Sequence, residues 1–449
     1  MRSARAISWS AGHVLIRACA LALAVSTIPV VPLGMTGTAI AQDAAPAARA
    51  LDQSAAQPPA AAEARGTAPA AAPEITKIKI LMARELRDLP PPLSLLDIPP
   101  PDDGLGGAKL ATADNNTTGK FIKQEFILDV VENEKPDALV ADVAKMVDAG
   151  SAFVVVDAAP KTVLALADAL KDKSAIIFNA GSPDDRLREE DCRVNVKHTI
   201  PTRSMFADAL GQFMAWKRWN RWFMIVGPTP EDKMLAEAYR RTAKRFGAKI
   251  IEERTYTYEP GSRRSDGGFE QIQQQMPSFT QNVKEYDVVV VADEGGLFGE
   301  YVPYRTWDAK PVVGTAGLYT ATWHPAIELW GGTQFQNRFK RMNNRNFREL
   351  DYNVWMAVRS VGEAATRQKS GNAAKLIEYM SSPEFELAAF KGQKLTYRSW
   401  NGQLRQPILL VTGKMHVTVS PQPGFLHHLT ELDTLGVDKP ETKCKAFGK

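Results

Sequence analysis

Signatures of catalysis and of metal binding are missing from this sequence. Its 449 residues hold only three cysteines and six histidines. There is no His-Glu-x-x-His, no Cys-x-x-Cys and no Cys/His cluster, so zinc finds no ligands at workable spacing. His427 and His428 are adjacent and do not readily face one metal. No Gly-x-Ser-x-Gly elbow, P-loop or dinucleotide glycine fingerprint occurs, which leaves enzyme catalysis without a positive signal. Long basic runs are absent too. The 55 basic side chains stand against 51 acidic ones, for a net charge of +4, and nothing points to nucleic acid. The densest basic stretch, 338–348, reads as the solvated face of a helix. Past residue 41 no apolar run is long enough to span a bilayer.

What is present begins with a leader. Arg2, Arg5 and Arg17 precede an apolar run, Ala18 to Leu33, and Ala39-Ile40-Ala41 has the small-x-small form of a cleavage site. A signal peptide over 1–41 is expected, with export to a periplasm. Residues 42–73 are rich in Ala and Pro, without hydrophobic periodicity, and read as a disordered tether. Cleavage removes Cys19 and leaves Cys192 and Cys444. In an oxidising compartment such a pair is expected to be bonded, the alternative being two buried thiols.

The rest alternates strands and helices. Phe223-Met224-Ile225-Val226 is a short apolar run ended by Gly227. Thr229 can cap the next helix, Pro230 fits its first position and Asp232 lies three residues past the cap. Leu235, Ala238, Tyr239, Thr242 and Phe246 recur at helical spacing, Gly247 stops the helix, and Ala248–Ile251 starts a strand. That is a βαβ unit of a parallel sheet. Strands are expected at Ile75–Met82, Phe126–Val130, Ala152–Val156, Ala175–Phe178, Tyr286–Ala292 and Pro311–Gly314. Helices are expected at Leu105–Asp114, Asp137–Asp148, Lys161–Leu170, Ser204–Lys217, Thr333–Met342, Asp351–Arg367 and Asn372–Met380. The Pro-rich Leu89–Asp103 excludes a helix or a central strand and should shape one edge of a cleft. Two hairpins are expected at the end. Lys394–Tyr397 and Leu404–Gln406 flank Asn401-Gly402, and Ile408–Val411 and Met415–Val419 flank Gly413.

The strand–loop–helix unit with Gly247, Asp293 after Val-Val-Val-Val-Ala, the helix DYNVWMAVRSVGEAA and the closing GQKLTYRSWNGQLRQP and LLVTGKMHV together carry a resemblance. The chain resembles the type I periplasmic solute-binding proteins of branched-chain amino acid ABC transporters, over Ile75 to Cys444. PPDDGLGGAKLATADNNTTGKF, FELAAFKGQKLTYRSWNGQLRQP and LDTLGVDKPETKC look like the subgroup named for PQQ-dependent alcohol dehydrogenase systems. The resemblance implies an α/β fold of two doubly wound, Rossmann-like lobes with a hinge and a ligand cleft between them. Lobe 1 would cover 74–198, completed by 321–371, and lobe 2 would cover 199–320, completed by 372–420, with 421–449 as a tail. It implies a non-enzymatic, monomeric receptor without cofactor, whose partners are a small molecule and ABC permease subunits. A periplasmic sensor or accessory protein of an alcohol dehydrogenase system is the alternative.

Strand ends then place the site. Asp157, Asn179, Ser182, Thr229, Asp293, Glu294 and Thr315 are expected to line the cleft, with Trp323 as an aromatic platform or a hinge-packing residue. Amino-acid-binding members of the family usually hold the ligand carboxylate with Ser and Thr hydroxyls in the lobe-one loops. Asp157-Ala158-Ala159-Pro160 offers no hydroxyl there and adds a negative charge, which argues against leucine or its relatives. Asp114 to Glu125 nearly fits a calcium loop, with oxygens at positions one, three, five and twelve and Gly119 at six. Ile122 is a poor ninth residue, and a helix end with a glycine turn explains the same letters, so no metal is expected.

Overall fold

The computed structural model describes residues 75–88, 98–257 and 267–447. The expected leader, the tether and most of the Leu89–Asp103 excursion lie outside the described residues. Two sheets organise the remainder. The first has the order β2-β1-β3-β4-β5 and is wholly parallel: β1 Thr76–Glu85, β2 Gln124–Asn133, β3 Phe153–Asp157, β4 Ile176–Asn179 and β5 Val196–His198. Its crossover helices are α1 Leu105–Ile122, α2 Pro136–Asp148 and α3 Pro160–Ala169. The second has the order β14-β13-β10-β9-β8-β6-β7. Its parallel part is β6 Arg221–Val226, β7 Lys249–Thr255, β8 Val288–Ala292, β9 Val312–Gly314 and β10 Leu318–Ala321, with α4 Arg203–Trp216, α5 Pro230–Arg245, α6 Gly267–Phe279 and the single turn α7 Val302–Arg305. Then α8 Gly332–Asn343, α9 Glu349–Gln368 and α10 Ala373–Ser381 return to the first sheet. β11 Leu387–Ala388 and β12 Lys394–Leu395 form a short ribbon, and β13 Ile408–Val411 and β14 His416–Ser420 add antiparallel to the second sheet.

Strand periodicity explains the layering, because alternate residues face opposite sides of a sheet. In β3, Phe153 and Val155 join one core while Val154 and Val156 join another. In β8, Val288, Val290 and Ala292 face α4 and α5, while Val289 and Val291 face the side of Ile272 and Phe298. Strands covered by helices on both faces must be apolar at every position, which is why these runs are nearly pure valine. The α5 start is built as its residues suggest. Thr229 accepts from the Asp232 amide, and Asp232 accepts from the Thr229 amide.

Several expectations change. Helix α1 runs two turns past Asp114, so the near-calcium sequence is helical. Asp114 is paired with Arg338 and accepts from Trp355, and Asn115 donates to the Val358 carbonyl. Among the described residues no group of three His, Cys, Asp or Glu could hold a metal. The 338–348 stretch is only partly a solvated face: Lys340 and Arg341 are exposed on α8, while Arg345 binds Asp102 and Asp351, and Arg348 binds Asp103. Around Asn401-Gly402 the expected strands reduce to one antiparallel bridge, Tyr397 to Leu404, and β12 pairs with β11. β5, β10 and α6 have no counterpart in the expected elements; the first two span only three and four residues. The segment expected to complete the second lobe is divided, since Leu376, Met380 and Leu395 belong to the first core and Ile408 and Leu410 to the second.

The chain crosses between the sheets at 199–202, at 322–331 and at 396–407. Buried polar side chains tie these crossings together. The Arg188 guanidinium, 1 % exposed, donates to Gln403 Oε1 and to the carbonyls of Ser182, Asp184 and Ile200. Gln403 Nε2 donates back to the His198 and Ile200 carbonyls, and Gln406 Nε2 to that of Thr199. Lys391 Nζ joins the second and third crossings through the Thr322 and Pro407 carbonyls. Outside this seam, Cys192 and Cys444 form a disulfide, and Glu189 beside it accepts from the Lys443 amide.

Arg188→Met should lower stability by about 3 kcal/mol, because it removes a charged donor and strands several buried acceptors. Urea unfolding measures the loss, and an unchanged midpoint would deny Arg188 this role. Burial pushes the Lys391 ammonium down to about 7 from an ordinary 10.5. The unfolded chain therefore binds more protons between these values, and stability should rise with pH from about 7 to 10.5. Lys197, held down to about 8 by burial, adds to the slope with the same sign. Each group contributes at most about 1.4 kcal/mol per pH unit. Lys391→Met should flatten the profile recorded by denaturation from pH 7 to 10.

Candidate functional site

In both sheets the carboxyl ends of the strands point toward the same seam, where loops of the two halves line an open cavity of about 510 Å³. Arg87 after β1, Asp157 at the end of β3 and Ala180-Gly181 after β4 form one wall. Asp293-Glu294 after β8 and Gly314-Thr315 after β9 form the other. Phe206 of α4, Leu235 and Tyr239 of α5 and Leu350 of α9 supply apolar surface. Past Thr315, Tyr319, Glu349 and Leu350 the cavity meets a wider outer cleft of about 1210 Å³, which also borders His324, Arg348 and Lys414.

Four of the eight expected residues line this cavity: Asp157, Asp293, Glu294 and Thr315. Their side chains are already engaged. Asp157 is buried against Arg87 at 2.9 Å, and burial pushes its carboxyl up while Arg87 and Arg84 pull it back. Asp293 accepts from the amides of Leu297, Phe298 and Gly299 at 2.6 to 2.8 Å. Burial still raises its carboxyl, against the pull of those amides. Glu294 takes a two-pronged bond from Arg203 at 2.6 and 2.7 Å. Burial raises that carboxyl and the guanidinium draws it down. Thr315 Oγ1 bridges the Val291 carbonyl and the Asp293 amide.

The other four are not brought to the cavity. Asn179 and Ser182 lock each other: Asn179 Nδ2 donates to the Ser182 carbonyl and Oδ1 accepts from the Ser182 amide, and Asn179 Nδ2 also meets His198 Nδ1. Thr229 is spent on its helix cap. Trp323 is 2 % exposed, stacks on Tyr352 at 5.1 Å and donates to Gln336 Oε1, so it packs the first core and borders the outer cleft, not the inner cavity. Sequence reasoning missed Arg87, Arg203, Tyr239, Glu349 and Asn353 as cavity residues. Arg203 directly follows the helix cap Thr202, which was a legible cue, and Tyr239 was read only as part of an apolar helix face. Glu349 and Asn353 arrive from a helix 150 residues or more beyond β5, which local pattern does not connect to the site.

This architecture is the type I periplasmic binding protein fold. The model of a family described as periplasmic binding protein matches residues 102–277. A branched-chain amino acid ABC transporter periplasmic ligand-binding protein from Burkholderia xenovorans aligns with a TM-score of 0.64 at 14% identity, covering 83% of this chain and 100% of that one. An ABC transporter solute-binding protein from R. palustris, solved in complex with benzoate, gives 0.58 at 12% identity over 83% and 99%. A leucine-, isoleucine-, valine-, threonine- and alanine-binding protein from Brucella ovis in a closed conformation gives 0.57 at 13% identity over 78% and 93%. No curated protein matches the chain. At such identities the likeness establishes the fold.

The geometry makes Asp293 a loop-holding residue. Asp293→Ala should cost about 3 kcal/mol of stability, since three amides lose their acceptor together. If urea unfolding shows wild-type stability while a ligand is lost, Asp293 serves the ligand and not the loop.

Proposed function

We propose that this protein is the periplasmic solute-binding component of an ABC transporter, and that it binds without catalysis. The observation that carries the reading is the open cavity lined by strand-end loops of both sheets, next to three chain crossings. A solute that touches both walls favours the closed arrangement by its better affinity for it, and a permease then reads closure. The small molecule belongs to PQQ-dependent alcohol oxidation and is not a branched-chain amino acid. Two features support this: the phrases shared with that subgroup, and first-sheet loops in which the Asp157 and Asn179 side chains are already bonded. The chain acts as a monomer and takes no cofactor.

Thermal unfolding against PQQ, short alcohols, their acids, branched-chain amino acids and calcium tests the reading. A solute present at about a hundred times its dissociation constant should add roughly 2.7 kcal/mol. Thr320→Trp, which fills the cavity from β10, should abolish that shift. A shift that persists in this variant would move the site elsewhere, and no shift with any solute would count against a receptor.

A further inference from the structure

Past β14 the chain runs as a tail over the second half and returns to the first. Leu435 packs into the second core. Gly436 is held on two helices of that half: its amide donates to Asp208 of α4, and its carbonyl accepts from Arg241 and Arg245 of α5. Just before it, Asp433 accepts from Arg398 and Arg405, and Arg398 also donates to the Leu432 and Leu435 carbonyls. Both arginines belong to the third crossing, so the tail grips that crossing where it leaves the second half.

Eight residues beyond Gly436, the tail is fastened to the other half. Cys444 is bonded to Cys192, in the loop between β4 and β5. That loop is itself fixed to α3, since Arg193 pairs with Asp168 and Asn195 donates to the Ala167 carbonyl. Past the bridge, the Phe447 ring lies against Gly402, again in the third crossing. The tail therefore has one anchor on each half and touches the third crossing at both of its own ends. None of its residues lines the inner cavity.

We infer that the C-terminal tail braces the hinge, and that the Cys192–Cys444 bond limits how far the two halves swing apart. Three chain segments can bend together by small dihedral changes in each. A fourth, cross-linked connection packed on one of them removes part of that freedom. The purpose of the brace rests on the receptor reading above, since a receptor that opens and closes has a range of motion to set. A bridge that served only as a staple would act on the unfolded chain, whereas a brace acts on the folded one.

Hydrogen exchange of the full chain separates the two, comparing the wild type with the double variant Cys192→Ser, Cys444→Ser. Exchange times are kept short enough that β3 and β8 stay protected in the wild type. The amides of His198, Gly402 and Leu404 are bonded within or across the third crossing. Loss of the bridge should speed exchange over 396–407 about tenfold or more while β3 and β8 remain protected. In a second readout, a dye pair carried by p-acetylphenylalanine at the exposed Phe121 and Trp307 reports the separation of the halves by single-molecule energy transfer. Its distribution should broaden when the bridge is lost. If the double variant folds poorly, reduction of the folded wild type by a phosphine, followed by thiol titration, gives the same comparison. Faster exchange confined to the tail, equal acceleration in β3 and β8, or an unchanged distance distribution would each overturn the brace. Neither readout needs a solute, so a failed solute panel would remove the receptor reading without deciding this one.

Discussion

A guanidinium with no carboxylate bonded to it holds the two halves of the molecule in register. Arg188 is buried, and burial drives its pKa down to about 9. It stays because four acceptors converge on it from the β4 loop, the first crossing and the third. Backbone carbonyls at a crossing cannot be satisfied by regular secondary structure, and water is excluded there. A planar cation with several fixed donors meets them all at once, which an ammonium would not. Gln403 extends the arrangement, since the side chain that accepts from Arg188 donates to the His198 and Ile200 carbonyls.

The same logic makes β13 the strand on which both halves depend. Ile408 and Leu410 pack into the core of the second sheet, while Leu409 and Val411 pack into that of the first. Four consecutive apolar residues thus fasten two cores by strand alternation alone. The run Ile-Leu-Leu-Val is legible as a strand, and the Gly413 turn predicts its antiparallel partner. Which cores its two faces would join is not legible, because that depends on where the third crossing returns. α10 shows the converse. Its helical pattern is plain, yet its allegiance to the first core is set by α9, against which it packs.

The candidate site divides along the same line. Loops at strand ends were found from the βα pattern, so Asp157, Asp293, Glu294 and Thr315 could be placed at the cavity from sequence. Their partners could not. Arg87 neutralises Asp157 from another strand's end, and Arg203 neutralises Glu294 across a separation of 91 residues. Read alone, the acidic residues suggest a site for a cation. Read with their arginines, they leave little unmet charge. The Asn179 amide is lost to the ligand for a local reason, since it closes a turn on the Ser182 backbone, and the Ser182 hydroxyl is buried away from the cavity.

That turn is also where hinge and cavity become one structure. The Ser182 carbonyl takes bonds from both Asn179 and Arg188, so the loop behind Gly181 is fixed by the residue that fixes the crossings. On the other side, Glu349 lines the cavity and holds the Thr322 amide, while the Thr322 carbonyl takes the Lys391 ammonium that reaches to Pro407. Glu349 is therefore one bond from the second crossing and three from the third. On the proposed reading closure would need no long relay through the cores, because Glu349 at the cavity is bonded directly to the second crossing.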